Sequence, residues 1–446
     1  MKNYLIKSAV LSFIFFVSSN CFAFSQNTIN VMDWGAKGDG VSDNYFVLLK
    51  IADTVSKMKT AEVIFPAGVY KINQYHDGKN NLRDIIFKNC DGLKITGKNA
   101  VISVFANFYR SITRRDKKHA FSTISTIIPF EFVNCNDLQI KNIELNGNVN
   151  EMTRDSDVTE FGGHLLLLFN CKNVNISNLK IHHAQTDGII INGEKSENIT
   201  INNTASSNNA RQGMSIIQLI NGTFKNCSFS NTGITDGKYG RHGPAAGIDI
   251  EPDRATQVVK NIRFESCLFN NNVGSQFICS FPTTTDSIYF EGCKFNATDS
   301  SSKYTIIVNA RGINFNNCTF NCRNGSIYPV WQMEGSSSTF SNCTINSNTN
   351  GIVAVTSFTT NKVIMENCKL NYTGSTVLNS YFPFIRMKDL TFVNNEINIP
   401  EQYLKNKGVN GLIQNADNVV NNSFFSNGKS VRSTFSFTGS NIKQNQ

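Results

Sequence analysis

What the 446-residue sequence lacks narrows its chemistry first. Beyond its N-terminus, no segment is long and apolar enough to cross a membrane as a helix, which takes about 20 apolar residues. It has no phosphate-cradling glycine loop and no serine nucleophile elbow, which removes the P-loop nucleotide enzymes and the α/β-hydrolases. No His, Cys, Asp and Glu residues fall at convincing metal-ligand spacing, so no metal or other cofactor is expected. Acidic residues are the scarcer charge, 33 against 42 Lys and Arg, leaving a formal charge of +9. That balance suits an acidic polysaccharide better than nucleic acid in an exported protein, although general solubility also accounts for it.

Export itself is read from the first 23 residues. Lys2 and Lys7 form a charged region, and the run from Ala9 to Val17 is apolar but too short to span a bilayer. Cys21-Phe22-Ala23 then places small residues at the −3 and −1 positions of a cleavage site after Ala23. A periplasmic or secreted location follows. Lipidation at Cys21 is the less favoured alternative, because Asn20 precedes it.

A short phrase recurs along the rest of the chain. It reads Phe224-Lys225-Asn226-Cys227-Ser228-Phe229, returns at Cys267 and Cys293, and continues at Cys318, Cys343 and Cys368. The last steps are 26, 25, 25 and 25 residues, a fixed period that marks a solenoid. Leu179, Thr204 and Asn395 occupy the same column, and Cys90, Cys135 and Cys171 form a second one. Within each period short runs alternate with a step of two, as in Val174-Asn175-Ile176, and Asn, Gly and Ser sit between them. About 25 residues hold about three short strands, and successive coils pair in parallel, which is a parallel β-helix. Roughly a dozen coils are expected between residues 85 and 430. The chain has twelve cysteines, but side chains stacked in register point the same way and do not converge. The cysteine columns therefore read as buried free thiols and not as a disulfide framework.

The segment before the coils has a different pattern. "GAKGDGVSDN" leads into a helical stretch from Tyr45 to Met58, followed by "FPAGVY" ending at Tyr70. This run resembles the N-terminal signature of the pectate-lyase-like right-handed β-helix proteins, which include polygalacturonases, polysaccharide lyases, sugar epimerases and tailspike depolymerases. The resemblance implies a right-handed, single-stranded parallel β-helix, all-β, with residues 24–84 as an N-terminal cap and residues 85–446 as the β-helix with its C-terminal cap. Phe46, Leu48, Leu49 and Ala52 would form the apolar face of a capping helix. Asp39 and Asp43 read as a structural turn and helix N-cap, ahead of a metal or catalytic role.

Function is sought where the period breaks, because solenoid insertions map to loops that often line the binding face. The step from Cys90 to Cys135 is 45 residues, from Ile143 to Leu179 it is 36, and from Cys227 to Cys267 it is 40. The last of these holds Lys238, Tyr239, Arg241 and His242, just before Gly247-Ile248-Asp249-Ile250-Glu251. Alternation turns Ile248 and Ile250 inward, and Asp249 and Glu251 outward, about 6–7 Å apart. Aligning coils by Gly188, Gly213 and Gly247 brings Asp187 and Arg211 onto the same patch. Asp249, Glu251 and Asp187 are the candidate catalytic carboxylates. Arg211, Arg241, His242, His183, Lys238, Tyr239 and Asp253 are the candidate substrate-binding residues. Adjacent His182 and His183 are expected to diverge, with one of them structural, and His164 is read as a core or edge histidine. The basic insertion with Arg110, Arg114, Arg115, Lys117, Lys118 and His119 is either a clamp for sugar carboxylates or a solvated loop.

Gln185-Thr186-Asp187-Gly188 is similar to the first polygalacturonase motif, with Gln in place of Asn, and Arg241-His242-Gly243 partly echoes its Gly-His-Gly. Arg211-Gln212 stand where that site carries an Asp pair, and its Arg-Ile-Lys is absent. Three functions stay open: a glycoside hydrolase using the outward carboxylates, a lyase or C5-epimerase on a uronic-acid polymer, and a non-catalytic glycan-binding adhesin. The sequence leaves the sugar, the linkage and the oligomeric state open.

Overall fold

A computed structural model describes residues 27–58, 60–74, 84–106, 110–114, 120–124, 127–151, 163–234, 243–281, 283–297, 304–322, 328–332, 335–348, 353–355, 362–373, 385–386, 389–400, 413–414, 418–430 and 441–443. The N-terminal signal-like segment lies outside these residues.

The strands coil as the period requires. Lys172–Ser177, Lys180–His182 and Asp187–Asn192 make one turn of the chain. Glu197–Asn202, Ala205–Ser207 and Gln212–Ile216 make the next. Each strand pairs in parallel with its equivalent one coil away, for example Val174 with Ile199 and Ile189 with Met214. The first two strands of every coil merge into one 28-stranded sheet, while the third joins a separate sheet of 12 strands. Twelve strands in that sheet match the expected dozen coils. The fold is a right-handed parallel β-helix.

The corner between the first two strands explains the recurring phrase. Asn142, Asn178, Asn203, Asn226, Asn317, Asn342 and Asn367 take φ between 48° and 59° there, a left-handed turn that Asn tolerates. Asn amides also bond up the stack, as from Asn178 Nδ2 to Asn142 Oδ1 at 3.0 Å and from Asn371 Nδ2 to Asn346 Oδ1 at 2.8 Å. The following Cys turns inward. Its thiol donates to a carbonyl of the preceding coil, from Cys227 to Ile201 O and from Cys267 to Phe224 O, each at 3.3 Å. Asn395, in the same column, donates from Nδ2 to Met365 O at 3.0 Å, so a different residue type meets the same acceptor. The flanking phenylalanines stack coil on coil, with Phe264, Phe290, Phe315 and Phe340 centred 4.8 Å apart. All eleven cysteines from Cys90 to Cys368 are free and buried.

The helix Tyr45–Val55 buries Tyr45, Leu48, Ile51, Ala52 and Val55, a stripe at helical spacing, against Val31–Trp34 and the strand Ile86–Lys88. Phe46, expected on that face, is 72% exposed, because it falls one position off the stripe. Asp39 accepts from the amides of Val41 and Ser42, and Asp43 Oδ1 accepts from the Tyr45 amide at 3.0 Å, as a turn and a helix start require. The basic insertion forms a hairpin, with Arg110–Arg114 antiparallel to Ala120–Ile124. Arg115, Lys117, Lys118 and His119 lie outside the described residues.

Candidate functional site

The 12-stranded sheet positions the site. In its strands Ile189, Met214 and Ile248 form an inward rank, as do Ile191, Ile216 and Ile250, all with no exposed surface. The alternate positions Ile190, Ser215 and Asp249 form one outward rank. The register is the one that glycine alignment gives. Gly188, Gly213 and Gly247 sit at the strand entries because nothing larger fits. A Cβ on Gly188 would lie 2.2 Å from Ser206 Oγ, and one on Gly213 would lie 2.4 Å from Gly247 O.

Asp187 stands at the start of its strand with no exposed surface. Arg211 grips it with two bonds, Nε to Oδ1 at 2.7 Å and Nη2 to Oδ2 at 2.6 Å. Ser215 Oγ donates to Oδ2 at 3.0 Å, and His164 Nδ1 lies 3.3 Å from the same oxygen. Burial alone would raise this carboxyl, but the Arg211 charge and then His164 outweigh burial and hold it well below the usual carboxylate range. Asp187 is therefore a fixed anion and not a proton donor. Asp187, a candidate catalytic carboxylate, is thus placed as the ion-pair partner of Arg211.

Asp249 holds the outward register position that alternation assigns to it, but it is only 3% exposed. Gln212 Nε2 donates to its Oδ2 at 2.8 Å, and Gln212 is itself held by the Ala246 amide, which donates to Oε1 at 3.0 Å. Asp249 Oδ1 is buried with no hydrogen-bond partner among the described residues. Burial, then the nearby Glu251 charge, pushes the Asp249 carboxyl up to about 7, against the pull of Arg211. Glu251 follows the strand end and is exposed, and its amide is bonded to Ile216 O at 3.1 Å. The two acids thus differ: Arg211 holds Asp187 as an anion, whereas Asp249 keeps its proton up to about pH 7.

The other candidates distribute unevenly. Asp253 is exposed in the turn after Glu251, where its amide donates to Gln257 Oε1 at 2.8 Å. His182 and His183 do not diverge. Their Nδ1 atoms are 2.6 Å apart, His183 sits in a left-handed turn at φ 56°, and His182 Nε2 lies 3.0 Å from Glu144 Oε1. The positive φ swings the second ring back onto the first. Lys238, Tyr239, Arg241 and His242 lie outside the described residues. Sequence reading missed Ser215 and Gln212 as carboxylate ligands; His164, read as a core or edge histidine, lies just before the strand Leu166–Phe169 with its side chain 13% exposed, and touches Thr186 Oγ1 at 3.1 Å as well as Asp187. The signal for the first two was available: an outward Ser, and a Gln one coil below Asp187, stand beside acids in the same sheet. Among the described residues, no group of three or more His, Cys, Asp or Glu side chains is arranged to hold a metal ion.

Comparison with known proteins agrees with this architecture. Residues 125–320 match the family model of a right-handed β-helix region. No curated protein is similar in sequence. Among solved structures, the A-module of mannuronan C-5 epimerase AlgE6 from Azotobacter vinelandii is 15% identical with a TM-score of 0.62, over 93% of this chain and 100% of that one. PfbA, a surface adhesin of Streptococcus pneumoniae, is 13% identical with a TM-score of 0.52, over 93% and 91%. Tailspike protein 3 of bacteriophage CBA120 is 12% identical with a TM-score of 0.52, over 92% and 62%. The chain thus shares the right-handed parallel β-helix fold with these structures.

Proposed function

We propose that the protein is an exported polysaccharide-degrading enzyme, a glycoside hydrolase in which Asp249 is the general acid. The observation that carries this reading is the Asp249 carboxyl, with one oxygen held by Gln212 and the other buried without a partner among the described residues. A carboxyl that keeps its proton to about pH 7 can deliver it to a glycosidic oxygen. Glu251, two residues along and exposed, is the complementary carboxylate that activates water or attacks the anomeric carbon. A separation of about 6–7 Å falls between the retaining and inverting spacings. Asp187 takes no proton. It aims Arg211, whose side chain is 25% exposed, at substrate oxygens.

The test is a panel of polysaccharides assayed for new reducing ends. Asp249→Asn and Glu251→Gln are each expected to lower the rate by about 10²–10⁴-fold, and wild-type rate is expected to fall as pH rises through about 7. A folded Asp249→Asn protein with full activity would refute the reading.

Arg211 also favours a second reading, a lyase or C5-epimerase on a uronic-acid polymer, because a guanidinium beside a protonated acid can neutralise a sugar carboxylate. The fold similarity to a mannuronan C-5 epimerase module is compatible with it. Unsaturated product absorbing in the near ultraviolet selects the lyase. Inverted C5 configuration in the uncleaved polymer selects the epimerase, and saturable binding with none of these changes selects a non-catalytic adhesin.

A further inference from the structure

The two carboxyl oxygens of Asp249 keep different company. Oδ2 accepts from Gln212 Nε2 at 2.8 Å, whereas Oδ1 has no partner among the described residues. The neighbouring strands leave Oδ1 without a donor. In the outward rank Asp249 lies between Ser215 and Ile278. The Ser215 hydroxyl gives its hydrogen to Asp187 Oδ2 at 3.0 Å, and the Ile278 side chain has none to give.

The backbone sets which end of the Gln212 amide faces Asp249. The Ala246 amide donates to Gln212 Oε1 at 3.0 Å, and a backbone N–H can only donate, so the side-chain amide cannot turn end for end. The Gly213 amide in turn donates to Ala246 O at 3.0 Å, so two successive residues of one coil clasp Ala246 of the next. Gln212 is buried, which keeps solvent from competing for these bonds. Its NH2 end therefore faces Asp249. An NH2 group offers hydrogens and no lone pair, so the oxygen that it meets is an acceptor. In a protonated carboxyl the carbonyl oxygen is the better acceptor and the hydroxyl is the donor.

We propose that Gln212 is a positioning residue: it keeps Oδ2 as the carbonyl oxygen of Asp249 and so sets the acidic proton on Oδ1, the atom that delivers it to the glycosidic oxygen. This role rests on Asp249 being the general acid. In the step, the Oδ1–H bond breaks and its electron pair stays on the Asp249 carboxylate. The glycosidic oxygen takes the proton and leaves the anomeric carbon as an alcohol. The Gln212 bond to Oδ2 is then a bond to an anion, and such bonds are about twice as strong as neutral ones. It strengthens as the proton departs, which is the differential binding that lowers a barrier. Burial, then the charges of Glu251 and Asp187, hold the proton on Asp249, whereas Arg211 and the Gln212 bond oppose them. Cys279, inward on the next strand, is fully buried and stays a neutral thiol.

Infrared spectra test the assignment without substrate. Each full-length protein is measured against its Asp249→Asn counterpart, so the difference isolates the protonated Asp249 carbonyl stretch below about pH 7. In Gln212→Met that carbonyl loses its donor, and the stretch should move to higher wavenumber. Gln212→Glu keeps the volume and the bond from Ala246 but turns a second acceptor toward Oδ2, which draws the proton between the two carboxyls and away from Oδ1. On a polysaccharide from which wild type releases reducing ends, both variants should lose about 10–100-fold in kcat, the worth of one hydrogen bond to an anion, with KM nearly unchanged. The basic limb of the Gln212→Met profile should move up by about one to two pH units, because the lost bond favoured the anion. A stretch that stays in place in Gln212→Met, or Gln212→Glu protein with wild-type kcat, overturns the positioning role and leaves Asp249 as the acid. A stretch that moves while no polysaccharide yields reducing ends overturns the hydrolase reading, and the delivery step with it, but not the hydrogen-bond assignment. No carbonyl stretch from Asp249 at all overturns both.

Discussion

At the scale of single residues, the patch is decided by which carboxyl received the cation. Asp187 and Asp249 occupy one sheet, and both are buried, yet Arg211 is bidentate to Asp187 and only a neighbour to Asp249. The first acid is therefore held charged, and the second keeps its proton up to about pH 7. The second arrangement lowers stability in a pH-dependent way. The folded state holds the Asp249 proton to about pH 7, against 3.8 for the exposed group, so between these values the native state binds more protons than the unfolded chain. Stability contributed by this group is intact below about pH 4 and falls as pH rises through 7, by on the order of 4 kcal/mol. Asp249→Asn removes that loss while keeping an acceptor for Gln212. Thermal denaturation should find the variant no more stable than wild type at pH 4 and clearly more stable at pH 8, although activity is lost. Equal melting temperatures at pH 8 would mean that Asp249 is not held neutral by burial.

At the scale of elements, the strand entries matter more than the strands. The column Gly188, Gly213 and Gly247 packs against Ser206, Asn209, Phe229 and Asn272 with no space for a methyl group, which lets the flanking outward side chains sit close to the sheet. Gly213→Ala brings its Cβ to 2.4 Å from Gly247 O, so the coils carrying Ser215 and Asp249 must part. A loss of about 1–3 kcal/mol in urea denaturation is expected, together with a drop in activity, although the residue contacts no substrate. Unchanged stability would show that the stack can relax. This column was legible in the sequence, since three glycines precede three alternating runs, and it fixed which residues share a rank. What was not legible is how deeply a rank is covered. Alternation assigns Asp249 to the outside, but a period-two pattern carries no information on how deeply an outward side chain is covered. The His182–His183 contact was hidden for a similar reason, because a left-handed φ at a residue other than Asn or Gly gives no compositional signal.

At the scale of the whole molecule, the repeat separates support from chemistry. The coils from Cys267 to Cys368 repeat almost without variation, with stacked Phe rings and Asn amides, and hold none of the candidate carboxylates. The architecture was readable because the cysteine column recurs where each coil turns, and the structure gives the reason: the thiol is a small apolar group that also donates to the carbonyl one coil back. That role requires every cysteine of the coils to remain reduced, even in a protein proposed to be exported. Burial lifts the Cys279 thiol well above its ordinary value and pushes Cys322 up to about 12, and burial shields all eleven coil cysteines from reagent. Thiol reagent should therefore label none of the coil cysteines in the native protein and all eleven after denaturation without reductant. Because the chain carries twelve cysteines in all, a twelfth equivalent would report that Cys21 has been retained, and exactly eleven is the count expected after cleavage at Ala23. Fewer than eleven would mean that a disulfide forms. Two columns that stack parallel, each thiol pointing back along the axis to a carbonyl, offer no pair of sulfurs facing each other for such a bond.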